Sequence, residues 1–129
     1  MSPVRHTITG SALSFSLEHE LQIIREQLGS ASARIGRTLV KDGPLRVTLV
    51  GLNAGGMLRP HKAEGPITVH VIEGEIEFEV EDKSWTLPTG TLFALDAGIP
   101  HSVSTRDGGV FLLTVVALRP STEQGQQAV

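Results

Sequence analysis

Apolar and polar residues follow two different periods along the chain. Between Ser16 and Leu28, the segment SLEHELQIIREQL repeats leucine or isoleucine every three or four residues, which places these side chains on one face of a helix. Ser16 can act as the N-cap, and Gly29 follows as a residue that ends helices. The pattern therefore predicts one short helix over about residues 16–28.

From Arg34 onward the apolar residues come in short runs with a period of two. In EIEFEVE, residues Ile76, Phe78 and Val80 alternate with glutamates, and we expect those glutamates to face solvent. The runs are separated by turn segments such as KDGP, PTG, DAGIP and RDGG. Many short strands with little helix are typical of a β-sandwich or barrel. We expect an N-terminal segment at 1–33, a barrel at 34–118 and a flexible tail at 119–129.

Composition excludes several classes of protein. The 129 residues suit one domain, and the formal charge of -3, without a cluster of lysine and arginine, gives no support for a nucleic-acid partner. Because there is no cysteine, disulfides, thiolate ligands and a cysteine nucleophile are excluded. The sequence has neither the apolar core of a signal peptide nor a run long enough to span a membrane, so we expect a cytoplasmic protein without a membrane partner.

Two segments that contain histidine carry the candidate chemistry. GGMLRPHKAEGPITVHVIEG and GTLFALDAGIPH match parts of the two cupin motifs, G-x5-H-x-H-x3,4-E-x6-G and G-x5-P-x-G-x2-H-x3-N. The matching positions are Gly55, His61, Gly74, Gly90, Gly98 and His101. On these residues the chain resembles a small single-domain cupin, of the RmlC-like jelly-roll, cupin 2 conserved barrel type. The resemblance implies an all-β fold, the cupin double-stranded β-helix or jelly-roll barrel, with one short N-terminal helix.

The resemblance also implies a metal site, but the motif is degenerate in this chain. Ala63 stands at the second histidine of the first motif, and Ile67 stands at its glutamate. In the second motif Asp96 replaces the proline and Thr105 replaces the asparagine. Half of the family's usual ligands are therefore missing.

His61 and His101 allow two interpretations. They could hold a divalent metal weakly, with Fe, Mn, Ni, Zn and Cu as the ions suited to such ligands. Alternatively, they are polar groups in a mostly apolar pocket that bind a small organic molecule. Neither the cofactor nor its presence is decided by the sequence.

Further ligands are available near this motif. His70 and Glu64 are candidate extra metal ligands, although alternation counted from His61 places His70 on the outer face unless Gly65-Pro66 breaks the strand. The same alternation allows Arg59 to point inward, where it could bind a carboxylate or phosphate; the alternative is an arginine on the surface. We expect Trp85 to pack in the sandwich or at a subunit interface.

Three functions remain open from the residues and the resemblance. The first is a binding module for a small organic ligand, and the second is a metal-dependent enzyme of the oxygenase or isomerase type that uses His61 and His101. The third is a metal-free enzyme with a histidine base, as in sugar-nucleotide epimerases of this fold, but no partner residue for the base is visible. Because cupins commonly pair, the resemblance also predicts a homodimer.

Overall fold

The computed structural model of the protein describes residues 12–29 and 33–118. His6 and the predicted tail at 119–129 lie outside these ranges. In chain order the described elements are α1 (Leu17–Leu28), β1 (Arg34–Asp42), β2 (Leu45–Leu52), β3 (Met57–His61), β4 (Ile67–Val80), β5 (Lys83–Pro88), β6 (Leu92–Leu95), β7 (His101–Ser104) and β8 (Gly109–Val116). The predicted all-β architecture with one short helix is confirmed.

Two antiparallel sheets are joined by the long strand β4. Its first half pairs with β6 and β8, and β8 continues through β2 to β1; we call this sheet A. Its second half pairs with β5 and β7, and β7 continues to β3; we call this sheet B. A bulge in β4 between Val71 and Glu73 lies near the change of sheet. Because an extra residue bends a strand and increases its twist, this bulge helps β4 to turn from one sheet into the other.

The inner faces of the two sheets enclose the main core. On β4 the inner residues are Val69 and Val71 before the bulge and Ile76, Phe78 and Val80 after it, so the alternation changes parity at the bulge. The full buried set comprises Val50, Leu52, Leu58, Ala63, Ile67, Val69, Val71, Ile76, Phe78, Val80, Leu87, Val103, Phe111, Leu113 and Val115. Burial of this apolar surface is the main force that holds the sheets together.

A second, smaller core lies between α1 and the outer face of sheet A. Leu21 and Ile24 of α1 pack there with Leu49 and Val110, and the Ser16 side chain accepts a hydrogen bond from the His19 amide at the start of the helix. Gly51 lets the helix approach closely, since a Cβ at that position would lie 2.6 Å from the Ile24 side chain. None of the described helices is long and apolar enough to cross a membrane.

Candidate functional site

His61 and His101 lie side by side on the inner face of sheet B. They are cross-strand partners on β3 and β7, and their ring centroids are 4.4 Å apart with the planes inclined by 59°. His101 is only 4% exposed, whereas His61 is partly buried. The two sequence motifs therefore place one imidazole each at the same point of the barrel.

A bulge in β3 determines which residues of that strand face inward. Leu58 pairs with Val103, and His61 pairs with His101. The two pairs are thus three positions apart on β3 but two positions apart on β7, so β3 carries one extra residue. Leu58 and His61 consequently share the inner face, and Arg59 is exposed. The alternation that allowed Arg59 to point inward fails because of this extra residue.

The hydrogen bonds of the two rings fix their tautomers. Nδ1 of His61 lies 2.7 Å from the Arg59 carbonyl oxygen, and Nδ1 of His101 lies 3.0 Å from the Ile99 carbonyl oxygen. A carbonyl oxygen can only accept, so each Nδ1 carries a proton and donates it. In the neutral rings each Nε2 therefore has a free lone pair. The Nε2 atom of His61 is buried and has no hydrogen-bond partner among the described residues.

The surroundings of His101 favour its neutral form. Burial lowers the pKa of His101 from the ordinary value of 6.5, the hydrogen bond to Ile99 opposes this change, and the nearby His61 lowers the pKa further. The ring also stacks on Phe78, with centroids 5.2 Å apart and planes inclined by 18°. Near neutral pH the pair therefore offers an acceptor nitrogen on His101.

Aromatic side chains continue the inner wall beyond the histidines. Phe93 lies 4.7 Å from Phe78 and 5.2 Å from Trp85, measured between ring centroids. Trp85 is opposite Phe78 on the edge strand β5 and remains 38% exposed. The predicted packing role of Trp85 agrees with its contact to Phe93. Next to the imidazole pair the inner wall of the barrel is thus aromatic, from Phe78, which is 1% exposed, to Trp85 at the protein surface.

Comparison with known proteins identifies the family. Residues 48–116, which is more than half of the chain, match the sequence profile of the cupin domain. The chain belongs to the cupin family. A search of curated proteins found no match to this cupin.

Solved structures of other proteins share its fold. A conserved protein of unknown function from Streptococcus pyogenes is 26% identical, with a TM-score of 0.63 and coverage of 67% of this chain and 76% of that one. A cupin 2 conserved barrel domain protein from Leptotrichia buccalis is 31% identical, with a TM-score of 0.64; the match covers 67% of this chain and 42% of that one. An RmlC-like cupin from Desulfovibrio desulfuricans is 20% identical, with a TM-score of 0.61 and coverage of 83% and 91%.

The residues of this cupin do not fit the four-ligand metal site of the family. Ala63 and Ile67 occupy two of the ligand positions, and both side chains are buried in the apolar core. His70 pairs with Leu112, which packs on the side of α1, so His70 lies on the outer face and is exposed. Glu64 is exposed as well. Within residues 12–29 and 33–118, no three histidine or acidic side chains are placed to hold one ion.

The two replaced positions of the second motif have local structural roles. Thr105 is buried; its hydroxyl donates to the Glu75 carbonyl oxygen over 2.8 Å and accepts from the Gly108 amide over 3.0 Å. It therefore ties the turn between β7 and β8 to β4. The Asp96 carboxylate accepts from the Ala97 amide over 2.7 Å in the loop before β7. Neither residue adds a ligand to the histidine pair.

Arg46 is an inward-facing charged residue that lies outside both cupin motifs. In the strand LRVTLVGL, residues 46, 48, 50 and 52 share a face, and Val50 and Leu52 belong to the barrel core. The alternation of β2 predicts that Arg46 faces inward, but β2 lies before both cupin motifs. Arg46 is thus a basic residue on the face that lines the barrel.

Proposed function

We propose that this cupin binds a small organic molecule in its barrel, with His61 and His101 as the polar groups that orient it. The observation that carries the proposal is the buried Nε2 atom of His61, which has no partner among the described residues. A buried acceptor without a hydrogen bond costs about 1–3 kcal/mol. A ligand that donates a hydrogen bond to this atom removes that cost, so the free site favours such ligands.

The geometry of the pair selects the ligand chemistry. Since both Nδ1 protons are used by backbone carbonyls, the neutral rings offer acceptors and the ligand has to supply a donor such as a hydroxyl group. The neighbouring wall contains Phe78 and Phe93, with Trp85 at its edge. Aromatic surfaces of this kind bind the apolar part of a ligand. We therefore expect a ligand with an apolar body and at least one hydroxyl or amine donor.

Imidazole NMR tests this proposal directly. Nitrogen-15 spectra of the histidine rings are recorded while aromatic alcohols, hydroxy acids and their neutral amides are added in the millimolar range. Binding is expected to shift the Nε2 signals of His61 and His101 and to leave the exposed His70 unchanged, with His70→Gln as the matched control variant. Loss of binding in His61→Gln supports the assignment. A ligand that binds equally well to His61→Gln and His101→Gln contradicts it.

The second candidate is a metal-dependent enzyme of the oxygenase or isomerase type. The adjacent imidazoles favour it, because two Nε2 lone pairs at neighbouring positions are ligands suited to Fe, Mn, Ni, Zn or Cu. The apolar side chains at Ala63 and Ile67 favour the binding module instead. Metal analysis of the parent and the double histidine variant decides between the two candidates.

We further propose that the protein forms a homodimer through the outer face of sheet A. Away from α1 this face carries a groove of about 390 Å³ lined mainly by Pro66, Thr68, Ala94, Thr114 and Val116. Leu92, opposite His70 in the register, is 67% exposed. A second copy would cover this apolar surface. Light scattering is expected to give twice the chain mass of 13.8 kDa, and a monomer mass at micromolar concentration contradicts the proposal.

A further inference from the structure

Nε of Arg46 is, like Nε2 of His61, a buried polar atom without a hydrogen-bond partner among the described residues. Among the side chains of the described residues, two nitrogen atoms are buried without a hydrogen bond, Nε of Arg46 and Nε2 of His61. Nε of a guanidinium is always a donor, because arginine stays protonated. The described residues therefore contain one buried donor without a partner, and Nε2 of a neutral His61 ring is a buried acceptor without one.

The strand register places Arg46 on the inner face of sheet A. Its partner on β8 is Val115, and the partner of Val115 on β4 is Ile67. Both partners belong to the barrel core, and residues directly opposite each other in antiparallel strands share a face. Ile67 stands where the family has a metal-ligating glutamate. Arg46 thus lies on the same inner face as that ligand position, two strands away, or roughly 10 Å between backbones.

The side chain of Arg46 is partly exposed, but its Nε reaches neither solvent nor a partner among the described residues. An arginine at a barrel rim commonly lays its methylene groups on apolar surface and keeps its charged head in water, which leaves Nε accessible; here Nε is buried. The ion pairs of the described residues join Arg25 to Glu73 and Arg37 to Glu20. Neither of them neutralises Arg46.

We propose that Arg46 binds a carboxylate, so that the ligand of the barrel is an organic acid that also carries a hydroxyl group. The guanidinium donates from Nε to a carboxylate oxygen, a pairing suited to its planar shape and fixed charge. The ligand hydroxyl donates to Nε2 of His61, and the apolar body of the ligand packs on the aromatic wall. This inference rests on the proposed ligand-binding function and specifies its substrate class.

The Nε–H signal of Arg46 in nitrogen-15 NMR provides the test. Arg46→Lys removes this signal and so assigns it, and Arg59→Lys is the matched control because Arg59 is exposed. The probes are mandelate and phenyllactate, each compared with its neutral carboxamide. Both acids are expected to shift the Arg46 signal, and each is expected to bind at least tenfold more tightly than its amide. Both Arg46→Lys and Arg46→Gln are expected to reduce the preference for each acid over its amide. The reduction is expected to be larger in Arg46→Gln than in Arg46→Lys.

Several outcomes overturn the carboxylate assignment. If acid and amide shift the His61 signals with equal affinity, or if Arg46→Gln keeps the preference, the barrel binds ligands without using Arg46 and only this inference fails. If only the amides bind, the carboxylate assignment fails and the proposed ligand-binding function does not. If neither class shifts His61 or Arg46, both this inference and the proposed ligand class fail. Glu123 is the one acidic residue of the segment 119–129. If Glu123→Gln changes the Arg46 signal without any probe, the guanidinium has a carboxylate partner from its own chain and the assignment fails.

Discussion

His61 and His101 are held in the same way: each Nδ1 donates to the carbonyl oxygen two residues earlier in the chain, Arg59 for one ring and Ile99 for the other. The two rings are also direct cross-strand partners. Each ring is therefore oriented by the chain segment directly before it, and the pair is positioned by the β3–β7 register. A lone pair on Nε2 remains on each neutral ring, which is the chemical basis of the proposed site.

Stability is expected to fall in mild acid because of His101. Burial lowers its folded-state pKa below 6.5, so the unfolded chain binds more protons at pH values between the folded and unfolded pKa values. The stability that neutral His101 contributes is fully present above pH 6.5, the ordinary pKa of histidine. It is lost as the pH falls toward the lower pKa of the folded state. Urea unfolding of the parent from about pH 8 to about pH 5 should show this decline. In His101→Gln the decline should be smaller, and an unchanged slope in that variant contradicts the assignment.

Restoring the missing ligands should create a metal site. Ala63→His combined with Ile67→Glu supplies the two ligand types that the family motif has at these buried positions. We expect about one Zn or Mn per chain after soaking, lost again when His61 and His101 are also replaced. Without metal, the buried carboxylate should destabilise the variant by about 2–4 kcal/mol, and added metal should reverse this loss. Ile67→Gln with Ala63→His is the control, and metal binding independent of His61 and His101 contradicts the geometry.

The helix α1 should depend on its buried ion pair more than on its exposed one. Glu20 is 7% exposed and pairs with Arg37 of β1, whereas Arg25 and Glu73 are both largely in solvent. Glu20→Ala leaves a guanidinium partly buried without its partner, and we expect a loss of about 2 kcal/mol in the free energy of unfolding. Glu73→Ala is the matched variant and should shift the denaturation midpoint much less. Equal shifts would contradict the difference in burial.

The loop between β3 and β4 should tolerate no side chain at Gly65. A Cβ there would lie 1.6 Å from the Val116 carbonyl oxygen, which is backbone and cannot rotate away. We expect Gly65→Ala to destabilise the protein by roughly 3 kcal/mol or more. At Gly36 the nearest atom to an added Cβ is 3.9 Å away, so Gly36→Ala should be neutral or slightly stabilising. Thermal unfolding of both variants checks the contrast, and similar melting temperatures would contradict it.

The sequence predicted the helix, the strand alternation of β4 and the two histidines, because each of these depends on local periodicity or on a spaced motif. For Arg59 it allowed both an inward and a surface position, since alternation cannot reveal the extra residue that β3 holds between Leu58 and His61. The sequence also did not predict the ring tautomers, because they depend on which carbonyl oxygen each ring contacts. Arg46 was accessible through the alternation of β2, but its buried Nε became visible only once neighbouring strands were in place.

Metal content is the most direct test of the proposal that His61 and His101 bind an organic ligand and not a metal ion. Untagged parent protein and His61→Ala/His101→Ala are analysed by elemental analysis, before and after soaking with Fe, Mn, Ni, Zn and Cu. We expect metal well below one ion per chain in the parent and no further loss in the double variant. Near-stoichiometric metal in the parent that disappears in the double variant would contradict it and make the metal-dependent enzyme the better description.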